Sequence, residues 1–191
     1  MILDKQKIIF VHIRKTGGTS IERSFNHDAD KKPSLKHCPI EYFKREHPKK
    51  FKEYFKFTVV RNPWDWIVSR YFWSRYHQRL FDYSFEEFID RIHNGETLNK
   101  NEPWLEEALK SQVSRISIGG KIDVDFIIRF ENLQQDFDKA CEIAGITKRK
   151  LPHEFKTKHT HYSTYYTPKS KRMVEEKYHE DIVEFNYQFG L

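Results

Sequence analysis

The chain has 191 residues, which is long enough to bury a hydrophobic core and typical of one domain. Aromatic residues make up 16% of the chain, and this number of large rings excludes an intrinsically disordered protein. The net charge of +6 and the pI near 9.1 favour an anionic ligand, and a chain with 2 cysteines has no disulfide framework.

The N-terminal stretch MILDKQKIIFVHI is too short and too often interrupted by charge to be a signal peptide. No apolar run approaches the length of a membrane span. We therefore expect a soluble protein in a reducing compartment, the cytoplasm. The sequence has no zinc, helix-turn-helix or RNA-binding signature, so we expect no nucleic-acid partner and no bound metal.

Apolar and amphipathic runs alternate in the first third of the chain. KIIFVHI (7–13) predicts a strand covered on both faces. TSIERSFN (19–26) opens with Thr and Ser followed by Glu22, which predicts the start of a helix. Residues 40–54 predict short helices broken by Pro48. FKFTVVR (55–61) predicts a second strand.

Helical patterns dominate the middle of the chain. Asn62 is expected to cap a helix that begins at Pro63, because proline is favoured at the first helical position. This helix carries WDWIVSRYFWSRYHQRL. The spacing of apolar residues predicts further helices over 84–95, which Gly95 closes, and over 104–116.

The last third of the chain returns to the alternating pattern. VDFIIRF (124–130) predicts a third strand, residues 131–145 a helix, 148–167 a basic loop and 168–187 the last helix. Because strands alternate with helices, we expect the α/β class, with a central parallel sheet flanked by helices. The absence of any composition shift or repeat predicts a single domain over 1–191.

The stretch FVHIRKTGGTSIERSF places a glycine turn between the first strand and the first helix. Gly17 and Gly18 allow backbone N–H groups to converge, and a helix N-terminus adds partial positive charge, so the turn favours an anion. Lys15 precedes the glycines, whereas the lysine of a P-loop follows them, so the Mg²⁺-binding logic of the P-loop is not supported. The plain alternative is a tight strand-to-helix turn with an exposed lysine.

A second strand end carries another cationic group. In VVRNPWDWIVSRY, Arg61 ends a strand, and Ser69 follows Asn62 by two helical turns on nearly the same face. A guanidinium and a hydroxyl so placed can hold one phosphate from two sides. The alternative is that Arg61 pairs with Asp65 and that Ser69 is a small packing residue.

HIRKTGGTS and FKFTVVRNPWDWIVSRY together resemble the sulfotransferases that use 3′-phosphoadenosine 5′-phosphosulfate (PAPS). They are most similar to the carbohydrate and heparan-sulfate branch and its bacterial relatives. VDFIIRFENLQQDF and the segment over 161–189 resemble later parts of the same family, so the likeness covers nearly the whole chain. It implies a P-loop-NTPase-like sulfotransferase fold and metal-independent, in-line transfer of sulfonate from PAPS to a hydroxyl, on a carbohydrate.

The resemblance also implies a role for each matching residue. The 5′-phosphosulfate would be bound by the turn and the start of its helix: Lys15, Thr16, Gly17, Gly18, Thr19 and Ser20. Arg61 and Ser69 would bind the 3′-phosphate. Lys15 would also be catalytic, because its ammonium can follow negative charge onto the bridging oxygen. Arg14 stands where the family often has proline, and it either loosens the turn or adds a cation beside the donor or acceptor.

Sulfuryl transfer needs a base for the acceptor hydroxyl, and relatives use glutamate or histidine. His37 precedes the second strand in the manner of the histidine base of the 2-O-type enzymes, and a histidine accepts a proton near neutral pH. Glu22 is the second candidate, although it also fits a capping box. His12 is the third, although a histidine inside a strand is typical of a core, and His37 also fits a surface loop.

The sequence does not identify the acceptor, whose pocket we expect in the variable loops over 28–50, 76–103 and 148–166. The last of these is basic, and it either closes over the nucleotide, contacts an acidic saccharide or glycolipid, or is a solvated loop. Its basic residues include Lys156, Lys158, His159 and His161.

Two other functions compete with sulfonate transfer. A kinase-like phosphotransferase predicts Mg²⁺ dependence and a lysine after the glycines, which this chain lacks. A non-catalytic polyanion-binding module is suggested by the net charge of +6, but it would not need the glycine turn in register with Arg61 and Ser69.

Overall fold

The structure is a computed structural model, and it describes residues 1–25, 35–96, 110–152 and 160–190. The chain divides into two compact units. The first unit consists of Met1–Arg61 and Gln112–Phe155, and the second of Asn62–Ser111 and Lys156–Leu191. That residues 1–191 form a single domain stays a prediction.

The strands of the described residues all belong to the first unit. In chain order they are β1 (Ile2–Leu3), β2 (Ile8–Val11), β3 (Phe55–Val60), β4 (Ser117–Ile118), β5 (Lys121–Ile122) and β6 (Phe126–Arg129). Four of them form a sheet in the order β1-β2-β3-β6. The pairs β2–β3 and β3–β6 are parallel, and β1 is an antiparallel edge strand. The predicted α/β class with a mostly parallel sheet is confirmed, whereas β1 and the β4–β5 hairpin were not predicted.

The helices of the described residues flank this sheet or form the second unit. In chain order the α-helices are α1 (Gly18–Ser24), α2 (Ile40–Glu46), α3 (Pro48–Glu53), α4 (Pro63–Phe72), α5 (Phe85–Asn94), α6 (Gln112–Ile116), α7 (Leu133–Ile143), α8 (Pro168–Lys177) and α9 (His179–Glu184), and a π-helix over Trp73–His77 directly follows α4. The second unit holds α4, α5, α8 and α9. No helix in these described ranges is long and apolar enough to cross a membrane.

The core of the first unit joins the sheet to α1 and α7. Phe10 of β2 lies opposite Phe57 of β3, and their rings stack with centroids 4.9 Å apart. Ile21 of α1, Phe25 directly after α1 and Phe137 of α7 are buried in the same cluster. Burial of whole apolar strands explains why residues 7–13 and 55–61 read as nearly continuous apolar runs.

Several predicted helix boundaries are confirmed. Pro48 begins α3, so it separates two short helices as expected. Asn62 caps α4 by accepting a hydrogen bond from the Trp64 backbone N–H at 3.2 Å, and Pro63 is the first residue of α4. Gly95 ends α5 in the left-handed conformation, with φ 71°.

The prediction of one helix over 168–187 is wrong, because the helix is interrupted at Tyr178. Tyr178 has φ −113° and is completely buried, with its ring edge-on to that of Trp66 at 5.6 Å. The interruption therefore coincides with a ring that is buried in the second unit. The predicted helix over 104–116 is described only from residue 110 onward, where α6 covers Gln112–Ile116.

Candidate active site

The glycine turn joins β2 to α1 in the first unit. Its backbone is left-handed at Lys15 (φ 65°) and at Gly17 (φ 83°). The Ser20 N–H donates to the Gly17 carbonyl at 3.0 Å. Gly17 has no side chain with which to cap α1. The first N–H groups of any helix also have no carbonyl acceptor within the helix, because no helical turn precedes them. That the backbone donors of this turn bind an anion stays a prediction.

The other predicted residues of the turn are distributed between its surface and its interior. Thr16 is fully buried, and its hydroxyl donates to the Ile13 carbonyl at 2.8 Å, so its side chain shapes the turn itself. Ser20 is buried, whereas Arg14 and Thr19 are half-buried.

The ring of His12 packs directly against Gly18. A Cβ added to Gly18 would lie 2.3 Å from His12 Cδ2 and 2.4 Å from its Nε2. His12 is 4% exposed, and its ring stacks on that of Phe10 with centroids 5.4 Å apart. Position 18 therefore needs glycine for space, and the ring of His12 supports the underside of the turn.

Gly18→Ala is expected to lower the free energy of unfolding by about 1–3 kcal/mol, because the new methyl group overlaps an enclosed ring. Urea denaturation measures the change. In the double variant Gly18→Ala/His12→Ala the overlap is removed. The free energies of unfolding lost in the two single variants should therefore sum to more than the free energy lost in the double variant. Strictly additive losses would contradict a tight contact between Gly18 and His12.

His12 is held by Glu22, which in turn binds Lys36. Nδ1 of His12 lies 2.8 Å from Oε1 of Glu22, and Oε2 of Glu22 lies 2.9 Å from Nζ of Lys36. Burial opposes ionisation of Glu22, but the hydrogen bonds from His12 and Lys36 and the positive charge of Lys36 lower its pKa to about 2. Because an ionised carboxylate only accepts, Nδ1 of His12 carries the proton that it donates.

His37 is brought to the same place. Its Nδ1 donates to the His12 carbonyl at 3.1 Å, and the two rings lie 4.3 Å apart between centroids. A carbonyl only accepts, so in the neutral ring Nδ1 carries the hydrogen and Nε2 keeps a lone pair. Burial is the main cause that lowers the pKa of His37 to about 2, and the positive charge of Arg14 acts in the same direction. Nη2 of Arg115 donates to the His37 carbonyl, whose residue has a left-handed backbone (φ 64°).

Arg61 extends from the end of β3 to the glycine turn. Its Nη1 donates to the Lys15 carbonyl at 3.0 Å, and its guanidinium stacks on the ring of Phe130 at 4.0 Å from the centroid. Gln112 holds the Arg61 backbone on both sides, accepting from its N–H at 2.9 Å and donating to its carbonyl at 2.8 Å. Since β2 and β3 are neighbouring parallel strands, both motifs lie at the carboxyl edge of the sheet, where α/β proteins bind ligands.

Ser69 is part of α4 in the second unit, where it is 1% exposed. Its shared role with Arg61 stays a prediction. His161 is exposed, and its Nδ1 lies 2.8 Å from the Ser163 hydroxyl. The predicted loop residues Lys156, Lys158 and His159 lie outside the described residues, as do parts of the loops over 28–50 and 76–103.

Sequence reasoning missed three residues that shape the first unit's site. Gln112 and Phe130 hold Arg61, and Arg115 binds the carbonyl of His37. No spacing rule points to them, because each lies more than fifty residues from the group that it contacts. Across the described ranges, no group of three or more His, Cys, Asp or Glu side chains is arranged to hold a metal ion.

Comparison with known proteins identifies relatives over most of the chain. The family model described as "Sulfotransferase family" matches residues 1–188. An uncharacterized protein from Archaeoglobus fulgidus is 32% identical over 99 residues, which are 51% of this chain and 73% of that protein. The crystal structure of a sulfotransferase from Alicyclobacillus acidocaldarius matches 94% of both chains with a TM-score of 0.55. Its sequence identity is 15%, so this likeness shows the fold alone.

Proposed function

Because the chain belongs to the sulfotransferase family and is thus an enzyme of sulfonate transfer, we propose that its donor is PAPS and its acceptor a carbohydrate hydroxyl. The observation that carries the proposal is the hydrogen bond from Arg61 to the backbone of the glycine turn. The glycine turn with Lys15 and the Arg61 side chain are two positively charged groups at the ends of neighbouring strands. Such a pair suits a nucleotide with phosphate groups at both its 5′ and 3′ positions.

We assign one group of residues to each end of PAPS. The backbone of Gly17 and Gly18, with Thr19, Ser20 and Lys15, would bind the 5′-phosphosulfate. Arg61, whose Nη1 donates to the Lys15 carbonyl, would bind the 3′-phosphate through its positive charge, and we assign Ser69 to the same phosphate. Arg14 adds positive charge beside the turn. A Cβ at Gly18 would overlap the ring of His12, so the close contact between this turn and that ring requires glycine.

PAPS supplies the sulfonate, which leaves the 5′-phosphate as the acceptor oxygen forms its bond to sulfur. In our proposal Nε2 of His37 takes the proton of the acceptor hydroxyl, and Lys15 stabilises the negative charge that develops on the bridging oxygen. Phosphates near His37 would raise its pKa from about 2, because negative charge favours the protonated ring. The base would thereby strengthen when the donor is bound.

The acceptor and the location are proposed on charge and on cysteine chemistry. The net charge of +6 supports an acidic saccharide or glycolipid as the acceptor. The two cysteines, Cys38 and Cys141, form no disulfide, which supports the reducing cytoplasm as the compartment.

Adenosine 3′,5′-bisphosphate is expected to raise the melting temperature more than ATP with Mg²⁺, because a ligand that binds only the native state stabilises it. At 100 times its Kd such a ligand adds about 2.7 kcal/mol to the free energy of unfolding.

Arg61→Ala should weaken the binding of adenosine 3′,5′-bisphosphate roughly 10- to 100-fold, since it removes a charged hydrogen-bond donor. Differential scanning fluorimetry measures both effects.

A larger shift with ATP and Mg²⁺ would favour the kinase-like alternative and overturn the PAPS assignment. Equal shifts with adenosine 3′,5′-bisphosphate and with heparin, unaffected by Arg61→Ala, would favour the polyanion-binding module. Lys44→Ala is a matched control for the loss of one cation, because Lys44 is exposed and contacts Asp123 at 3.5 Å.

A further inference from the structure

Glu22 uses both oxygens of its carboxylate. Oε1 accepts from Nδ1 of His12 at 2.8 Å, and Oε2 lies 2.9 Å from Nζ of Lys36. The His12 side chain is 3% exposed and the Glu22 side chain 18%, so this contact is largely shielded from water. A carboxylate whose two oxygens are both engaged in this way is held to its partners and is poorly placed to take the proton of an acceptor hydroxyl.

The two partners of Glu22, His12 and Lys36, contact or adjoin the glycine turn and His37. The ring of His12 supports Gly18 in the glycine turn, and its carbonyl accepts from Nδ1 of His37. Lys36 is the residue before His37, so its ion pair holds the segment that carries the imidazole. Glu22 therefore lies on α1 between the turn and the histidine.

We propose that Glu22 is a positioning residue that couples the glycine turn to His37. By accepting from Nδ1 of His12, Glu22 keeps that ring against Gly18. By binding Lys36 it holds His37 in the register where Nδ1 donates to the His12 carbonyl and Nε2 is left to accept a proton. The catalytic part of this assignment rests on the proposed function, whereas the coupling of the two histidines to Glu22 does not.

A simple structural ion pair would behave differently. The Lys36 side chain is 44% exposed, and an ion pair with so exposed a lysine contributes about 0–1 kcal/mol to stability. If stability were its whole role, removing it would leave the tautomer of His37 and the turnover unchanged. The tautomer is thus the measurement that separates positioning from stability.

The test uses the full chain labelled with ¹⁵N-histidine and needs no substrate. Two-bond ¹H–¹⁵N spectra distinguish a ring protonated at Nδ1 from one protonated at Nε2, and His37→Asn assigns the His37 signals. We expect the Nδ1–H form of His37 in the wild type. We expect a mixture of the two tautomers in Glu22→Gln and in Lys36→Met, because each loses the anchor at Lys36. Glu53→Gln, an exposed glutamate on α3, is the matched control and should keep the wild-type spectrum.

Kinetics with PAPS and an acceptor form the second arm. Glu22→Gln is expected to lower kcat on the order of 10-fold with a smaller change in the donor KM, because a misplaced base slows the chemical step more than it weakens donor binding. Lys36→Met should lower kcat in the same direction, and the double variant should lose no more than Glu22→Gln alone. Because the Lys36 side chain is exposed, Lys36→Met is expected to fold, and it can test the inference alone if Glu22→Gln does not fold.

Distinct results overturn the inference. Unchanged His37 signals in both Glu22→Gln and Lys36→Met would show that Glu22 does not position His37. Complete loss of turnover in Glu22→Gln, with those signals unchanged and Lys36→Met fully active, would make Glu22 the base. If no variant transfers sulfonate from PAPS but the tautomers shift as expected, the proposed donor fails and the positioning role stands.

Discussion

Replacing Lys15 by methionine is expected to lower kcat roughly 100- to 1,000-fold, the range seen when one donor to a developing charge is removed. Methionine keeps the length of the side chain and removes only the ammonium that would stabilise the bridging oxygen. The loss should therefore appear in kcat more than in the donor KM. Initial rates with radiolabelled PAPS and a panel of sugars, glycolipids and phenols measure both constants and also identify the acceptor.

Lys7→Met is the matched control for this substitution. Lys7 is exposed, lies between β1 and β2, and like Lys15 has a left-handed backbone, with φ 53° against 65°. The two variants should change the free energy of unfolding equally, within about 0.5 kcal/mol, and only Lys15→Met should lose turnover. An equal loss of turnover in both variants would contradict a chemical role for Lys15.

Replacing His37 by asparagine is expected to lower kcat roughly 100- to 10,000-fold and to leave the binding of adenosine 3′,5′-bisphosphate nearly unchanged. Asparagine tolerates the left-handed backbone of His37 (φ 64°), so the variant removes the ring without straining the chain. His37→Ala should depress turnover similarly. Stopped assays of product, with calorimetry of nucleotide binding, separate the two effects.

His179→Asn serves as the control, because His179 is an exposed residue at the start of α9. It should retain wild-type kinetics. Normal turnover in His37→Asn would instead move the assignment of the base to Glu22 and remove the mechanism proposed for His37.

The depressed pKa of His37 also gives its stability a definite pH dependence. The unfolded ring takes up a proton as the pH falls through 6.5, whereas the native ring stays neutral until about pH 2. Unfolding therefore binds protons in this window, so the contribution of His37 is complete above pH 6.5 and is lost progressively below it. Between pH 7 and 5 the wild type should lose more free energy of unfolding than His37→Asn, by less than about 1.4 kcal/mol per pH unit.

Much of the local structure could be predicted from the sequence. The apolar run over 7–13, the break at Pro48 and the cap at Asn62 each follow from the chemistry of a few adjacent residues, and the structure confirms them. The interruption at Tyr178 could not be predicted in this way, because it depends on where that ring is buried against Trp66. Helical periodicity extends unbroken through Tyr178 in the sequence.

The sequence by itself determined where the candidate binding residues lie along the chain. A glycine turn with Lys15 follows one predicted strand and Arg61 ends another, in the pattern of a family. Only the tertiary structure decided what these residues contact. His12 and Glu22 are 10 residues apart, His37 and His12 are 25 apart, and Gln112 lies 51 residues from Arg61. Local patterns are set by neighbouring residues, whereas the protonation and orientation of a buried side chain are set by whatever the fold packs around it.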